Sequence, residues 1–160
     1  MRTRMAAGLL LASLSSSACG GGGRAVEIDP EHQVVGSRWN AILATPASLA
    51  GASQVRGTGW MGEDDGDTAR SRAFVSVSNA VPGGRHPWHV HMGQCGNDRG
   101  ILGEADAYPI LEVKNNGRAE ETAELNLPMP TRGQYFINVH ASPNNLGTII
   151  ACGNLAPPSR

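Results

Sequence analysis

Between Arg38 and Leu155 apolar residues recur largely at every second position, the period of an extended chain with one face buried. Trp39, Ala41 and Leu43 alternate with Arg38, Asn40 and Ile42 until Pro46 stops the run, which predicts a first strand. Gln54 to Met61 predicts a second, weakened by Gly57 and Gly59. After the turn cluster Glu63-Asp-Asp-Gly-Asp67, the run Arg72 to Val77 carries Phe74, Val75 and Val77. Pro82-Gly-Gly-Arg85 then turns the chain into a strand through His86-Pro-Trp-His89-Val-His91-Met-Gly-Gln-Cys95, and Gly93, Gly96, Asn97 and Gly100 predict a long irregular loop behind it. Tyr108 to Val113 reads as a strand, Lys114-Asn-Asn-Gly117 as a hairpin turn, and Ala119 to Leu127 as the returning strand that Pro128 ends. Gln134 to His140, a turn over Ser142 to Gly147, and Thr148 to Leu155 complete the series. About eight short strands with neither a helical period nor an internal repeat predict an all-β antiparallel sandwich or barrel.

The first nineteen residues do not fit that pattern. Arg2 and Arg4 form a basic start, Ala6 to Leu14 an apolar run too short to span a bilayer, and Ser15 to Ala18 a small-residue processing region. Cys19 with Gly20 to Gly23 behind it resembles the lipobox of bacterial lipoproteins, in which the cysteine is acylated; the leucine usual three before it is Ser16 here. The resemblance implies export and a lipid anchor in the cell envelope through Cys19; residues 20–36, Gly-rich at the start and without sustained period, read as a tether, 37–156 as one domain and 157–160 as a tail. An ordinary secretory signal cut near the same place, leaving Cys19 a free thiol, is the alternative.

Removing Arg2 and Arg4 lowers Lys+Arg from 13 to 11 against 14 Asp+Glu, so the mature chain is mildly acidic. That argues against nucleic acid or an anionic lipid surface as partner. Three cysteines are an odd number for an exported chain. Assigning Cys19 to lipid leaves Cys95 and Cys152 to pair in an oxidising compartment, with two buried free thiols as the alternative. A bridge closing a loop of this size contributes about 4 kcal/mol on the loop-entropy argument.

The chemistry concentrates on histidine. Side chains two apart on a strand leave the same face, so His89 and His91 stand side by side, and His140 in Tyr135-Phe-Ile-Asn-Val-His140 is the third candidate ligand. Neutral imidazoles suit copper and zinc. His86 is a candidate fourth ligand whose direction Pro87 constrains, and otherwise an exposed turn residue. Trp88 and Met92 point to the opposite face and are expected in the core. The acidic turn at Glu63 to Asp67 lacks the spacing of a calcium loop and reads as a solvated hairpin tip. No Gly-x-Ser-x-Gly elbow or phosphate loop occurs.

His89-Val-His91 on a strand, a cysteine soon after it, a late strand ending Asn138-Val-His140 and a closing Ala151-Cys152-Gly153 resemble the copper/zinc superoxide dismutases over most of residues 38–155. The resemblance implies an eight-stranded Greek-key β-barrel, copper on His89, His91 and His140, and a Cys95–Cys152 disulfide. It also implies superoxide as substrate. Between His91 and His140 there is no histidine, so the bridging histidine and the zinc ligands of that family have no counterpart. Asp98, Glu104 and Asp106 occupy that stretch and read as solvated carboxylates. The family's guiding arginine, three before the second cysteine, is Ile149, which implies weaker steering of an anion. The same residues resemble, less closely, the chordin-type (CHRD) domain, which usually lacks the cysteine pair. Three readings follow: a dismutase-like enzyme, a copper-binding module exchanging the ion with a donor or acceptor without turnover, or a structural β-domain. Zinc in place of copper stays open.

Overall fold

In β1 (Trp39–Ala44) the side chains of Trp39, Ala41 and Leu43 are buried and those between them exposed, so the two-residue period becomes the pleat of a half-buried strand. The same alternation places Ser71, Ala73, Val75 and Val77 of β3 (Asp67–Ser78) and Ala119, Ala123 and Leu125 of β8 (Ala119–Leu125) on one interior. These belong to a computed structural model that describes residues 38–158. The expected signal segment, Cys19 and the tether at 20–36 lie outside the described residues, as do the last two of the tail.

Eight strands form one antiparallel sheet. With β2 (Arg56–Asp64), β5 (Trp88–Gln94), β6 (Asn97–Ile101), β9 (Tyr135–Ser142) and β10 (Asn145–Leu155), its order is β6-β5-β9-β10-β1-β2-β3-β8. The strands β4 (Arg85–His86) and β7 (Leu111–Glu112) pair separately, and no α-helix occurs among the described residues. The sheet is strongly curled. A Cβ built on Gly59 in β2 would lie 2.4 Å from Ile137 Cδ1 in β9, although two strands separate β2 from β9 in the sheet. Gly59 weakens its strand intrinsically, yet this approach across the curl leaves no room for a side chain. Trp88 and Val90 of β5, Ile137 and Val139 of β9 and Met61 of β2 fill the enclosed side. The acidic tip between β2 and β3 directs Asp64 and Asp65 at Arg72, with Asp64 at 3.0 Å.

Four local expectations are corrected. Residues 97–101, expected as irregular loop, form β6, because the turn at Cys95-Gly96, with Gly96 at φ +83°, folds the chain back onto β5. Of the strand expected over 108–113 only Leu111–Glu112 is extended and paired, and its partner is β4. Pro109 has no N–H to give a ladder, and Trp88 Nε1 donates to its carbonyl instead (2.8 Å). The Lys114–Gly117 turn closes, with Gly117 N–H donating to Lys114 O (2.9 Å), yet its flanks do not form a hairpin: β7 pairs with β4 and β8 with β3. Finally, Met92, expected in the core, is 39 % exposed near the end of β5, beyond the reach of the interior.

Candidate metal centre

Because Trp88 and Val90 turn into the core, the pleat sends His89 and His91 to the other face of β5. On β9 the residues opposite them, Asn138 and Phe136, take that same face, and His140 continues it. Its N–H donates to Pro87 O (2.8 Å), which extends the β5–β9 register past the first histidine. All three rings are buried, and each offers a nitrogen within 4.8 Å of the other two. His89 Nδ1 lies 3.1 Å from His140 Nε2, close to the spacing of two nitrogens on one ion with bonds of about 2.0–2.1 Å. Three buried imidazoles so placed can hold one metal ion.

On two of the three rings the other nitrogen is held by an oxygen acceptor. His91 Nδ1–H donates to Asp98 Oδ1 (3.0 Å), and His140 Nδ1–H donates to Leu146 O (2.6 Å). A carbonyl only accepts, so on His140 the proton sits on Nδ1 and the lone pair on Nε2 faces the cluster. Leu146 reaches the ring because the β9–β10 register shifts between Asn145 and Ile149. His91 Nε2 is buried with no hydrogen-bond partner. An unpaired buried polar atom is costly, and here it belongs to a ring clustered with two other imidazoles.

Burial pushes His89 down from 6.5 to about 4, helped by the neighbouring His140 and His91 and opposed by the charge of Asp98. His140 is lowered chiefly by burial as well, against the pull of Leu146 O. Both rings are therefore neutral at pH 7, with lone pairs available to a cation. Burial alone would raise the Asp98 carboxyl. The Gly100 N–H, which donates to Oδ1 at 2.7 Å, and the hydrogen bond from His91 outweigh it and hold the group below its usual range.

Aromatic rings wall the cluster. His91 stacks on Phe136 (5.2 Å between centroids, 26° between planes), and Tyr108 meets His89 edge-on at 5.3 Å. A cavity of about 890 Å³ opens beside His140 and Asp98, bounded also by Thr45, Leu49, Asn138 and Ile149. Among the residues lining it there is no Lys or Arg. The Cys95–Cys152 disulfide forms one wall and ties the β5–β6 turn to β10.

His89, His91 and His140 are thus brought together, and His86 is not. The expected fourth ligand is buried rather than exposed, and its Nδ1–H is directed to the carbonyls of His140 and Ala141 (3.0 and 2.9 Å). Its ring borders a different cavity, with Ser53, Asn79 and Ala141. All three carboxylates expected to be solvated are exposed, and Asp98, its side chain 49 % exposed, is in addition hydrogen-bonded to His91. The sequence signal for Asp98 was available: a carboxylate just past a Cys-Gly turn lies back alongside the strand that precedes it. Comparison with protein families and with curated proteins gives no match for this chain.

Proposed function

We propose that the domain binds one copper ion through His89 Nδ1, His91 Nε2 and His140 Nε2, as a relative of the copper/zinc superoxide dismutases that lacks the zinc site. The observation that carries this is His91 Nε2, buried and without a partner, on a ring clustered with two neutral imidazoles. An all-imidazole donor set favours copper over the hard cations, and zinc is the competing occupant. The protein is exported and held to the cell envelope by lipid on Cys19; the disulfide is compatible with an oxidising compartment. Loading the mature domain with Cu(II) and measuring metal after desalting tests the reading. About one copper per chain is expected for the native domain and none for His140→Ala. An equal and near-zero copper content in both would leave a structural β-domain. Incorporation of labelled fatty acid into the native chain but not into Cys19→Ala tests the anchor.

The cavity beside His140 supports a second reading, in which a small molecule reaches the ion and superoxide is disproportionated. Bound copper supplies the one-electron redox chemistry for this; the chain itself holds the ligands neutral and shields the site with Phe136 and Tyr108. With Ile149 in place of a guiding arginine and no cation lining the approach, anion capture is slow and insensitive to salt. Superoxide consumption measured at two ionic strengths decides it. Copper without consumption leaves a module that stores or delivers the ion, the role a CHRD-like envelope domain would also permit.

A further inference from the structure

Among the described residues Asp98 is the one carboxylate whose oxygen meets a ring of the histidine cluster, and it meets that ring at Nδ1, which leaves His91 Nε2 as the nitrogen open to an ion. Oδ1 accepts from His91 Nδ1–H at 3.0 Å and from Gly100 N–H at 2.7 Å, so the backbone of β6 fixes the oxygen in place. The ring so held is the one stacked on Phe136 and the one whose Nε2 is buried without a partner. His140, by contrast, is held by a neutral carbonyl, Leu146 O. One ligand is therefore backed by a full negative charge and another by a dipole.

We propose that Asp98 is a positioning residue that makes His91 the strongest donor of the three and biases the site toward Cu(II) over Cu(I). The inference rests on the copper reading above. A carboxylate accepting the distal N–H of a ligating imidazole fixes the tautomer and the ring plane, and it raises the basicity of the coordinating nitrogen. The added electron density stabilises the higher charge state of the ion more than the lower. Losing such a partner typically costs about 10–100-fold in metal affinity. If that loss falls on Cu(II) alone, each tenfold raises the Cu(II)/Cu(I) potential by about 59 mV.

Two variants separate charge from geometry. Asp98→Asn keeps an oxygen that can accept from His91 and Gly100 and removes the charge; Asp98→Ala removes both. The readouts are Cu(II) affinity, Cu(I) affinity under anaerobic reduction with a chromophoric chelator, and the potential of the copper-loaded full domain. Expected are a Cu(II) affinity about 10–100-fold weaker in Asp98→Ala and a smaller loss in the same direction in Asp98→Asn, Cu(I) affinity nearly unchanged in both, and a raised potential. Equal losses for Cu(I) and Cu(II), or no loss in either variant, would overturn the proposal. Should the alanine variant fail to fold, the asparagine variant alone decides by the same criterion. Failure of the native domain to bind copper at all would instead remove the underlying reading, so the two failures are distinguishable.

Discussion

On the inward face of the β5–β9 pair, Trp88, Val90, Ile137 and Val139 are wholly buried and apolar; on the outward face of the same strands, His89, His91, Asn138 and His140 are almost as buried and polar, with only Phe136 between them. Burial is nearly equal and its chemistry is opposite. Of the inward side chains only Trp88 carries a polar group, and its Nε1–H keeps a partner in Pro109 O, so their burial stabilises the fold by about 25 cal/mol per Å² of apolar surface. Outward, two of the imidazoles retain their hydrogen bonds on one nitrogen only, and the ring of His91 keeps an unmet acceptor. Stability is concentrated on one side of the pleat, and reactivity on the other.

That division is open to measurement. Trp88→Ala should have the largest effect, a loss of about 3–5 kcal/mol in denaturant unfolding, because a fully buried indole leaves a cavity and orphans Pro109 O. A comparable loss on the outward side, from His91→Ala without metal, would erase the distinction; about 1–2 kcal/mol is expected there. Replacing Cys95 and Cys152 together by serine should cost about 2–4 kcal/mol, read by the same unfolding curve, since the bridge spans 57 residues of chain. Free copper at about 100 times its dissociation constant should stabilise the native domain by about 2.7 kcal/mol, and should do nothing for His140→Ala. A copper-induced rise in the melting temperature of both chains would place the ion elsewhere.

Acidity gives the smallest effect. His89 takes up its proton near pH 6.5 when unfolded and only near about 4 when folded, so the unfolded chain binds more protons in that interval. Stability of the metal-free domain is therefore complete above pH 6.5 and declines as pH falls toward about 4. His140, also lowered, acts in the same direction, and the lowered Asp98 extends the loss below 3.8. Urea midpoints recorded between pH 7 and 4, roughly the interval these shifts define, check this. A His89→Gln variant whose midpoint falls as steeply as that of the native chain would refute the assignment to that ring.

Most of this arrangement was legible in the sequence, and the exceptions have physical causes. The strands whose alternation is complete, such as β1 and β3, announce themselves, as do His89 and His91 at a strand spacing. The polar strand β6 does not, because four of its five residues are exposed and none signals an interior. The hairpin expected around Lys114–Gly117 fails for a tertiary reason: its turn is sound, but the strand before it, β7, pairs with β4, and the strand after it, β8, joins β3 at the end of the sheet. Asp98 and Leu146 need the register of two hairpins before they can be assigned to a histidine. His86 was misplaced because a histidine before proline in a turn reads as exposed, whereas the carbonyls of His140 and Ala141 draw it inward.

One of the two end strands of the sheet, β6, borders it with Asn97, Asp98, Arg99 and a Gly100 at φ +110°. Alternating charges and a kinked glycine make a poor template for another chain's backbone, so this margin deters fibre-like growth. The same few residues thus hold the His91 ring still and keep neighbouring molecules apart, and a mutation that flattened or neutralised them would be felt first as aggregation.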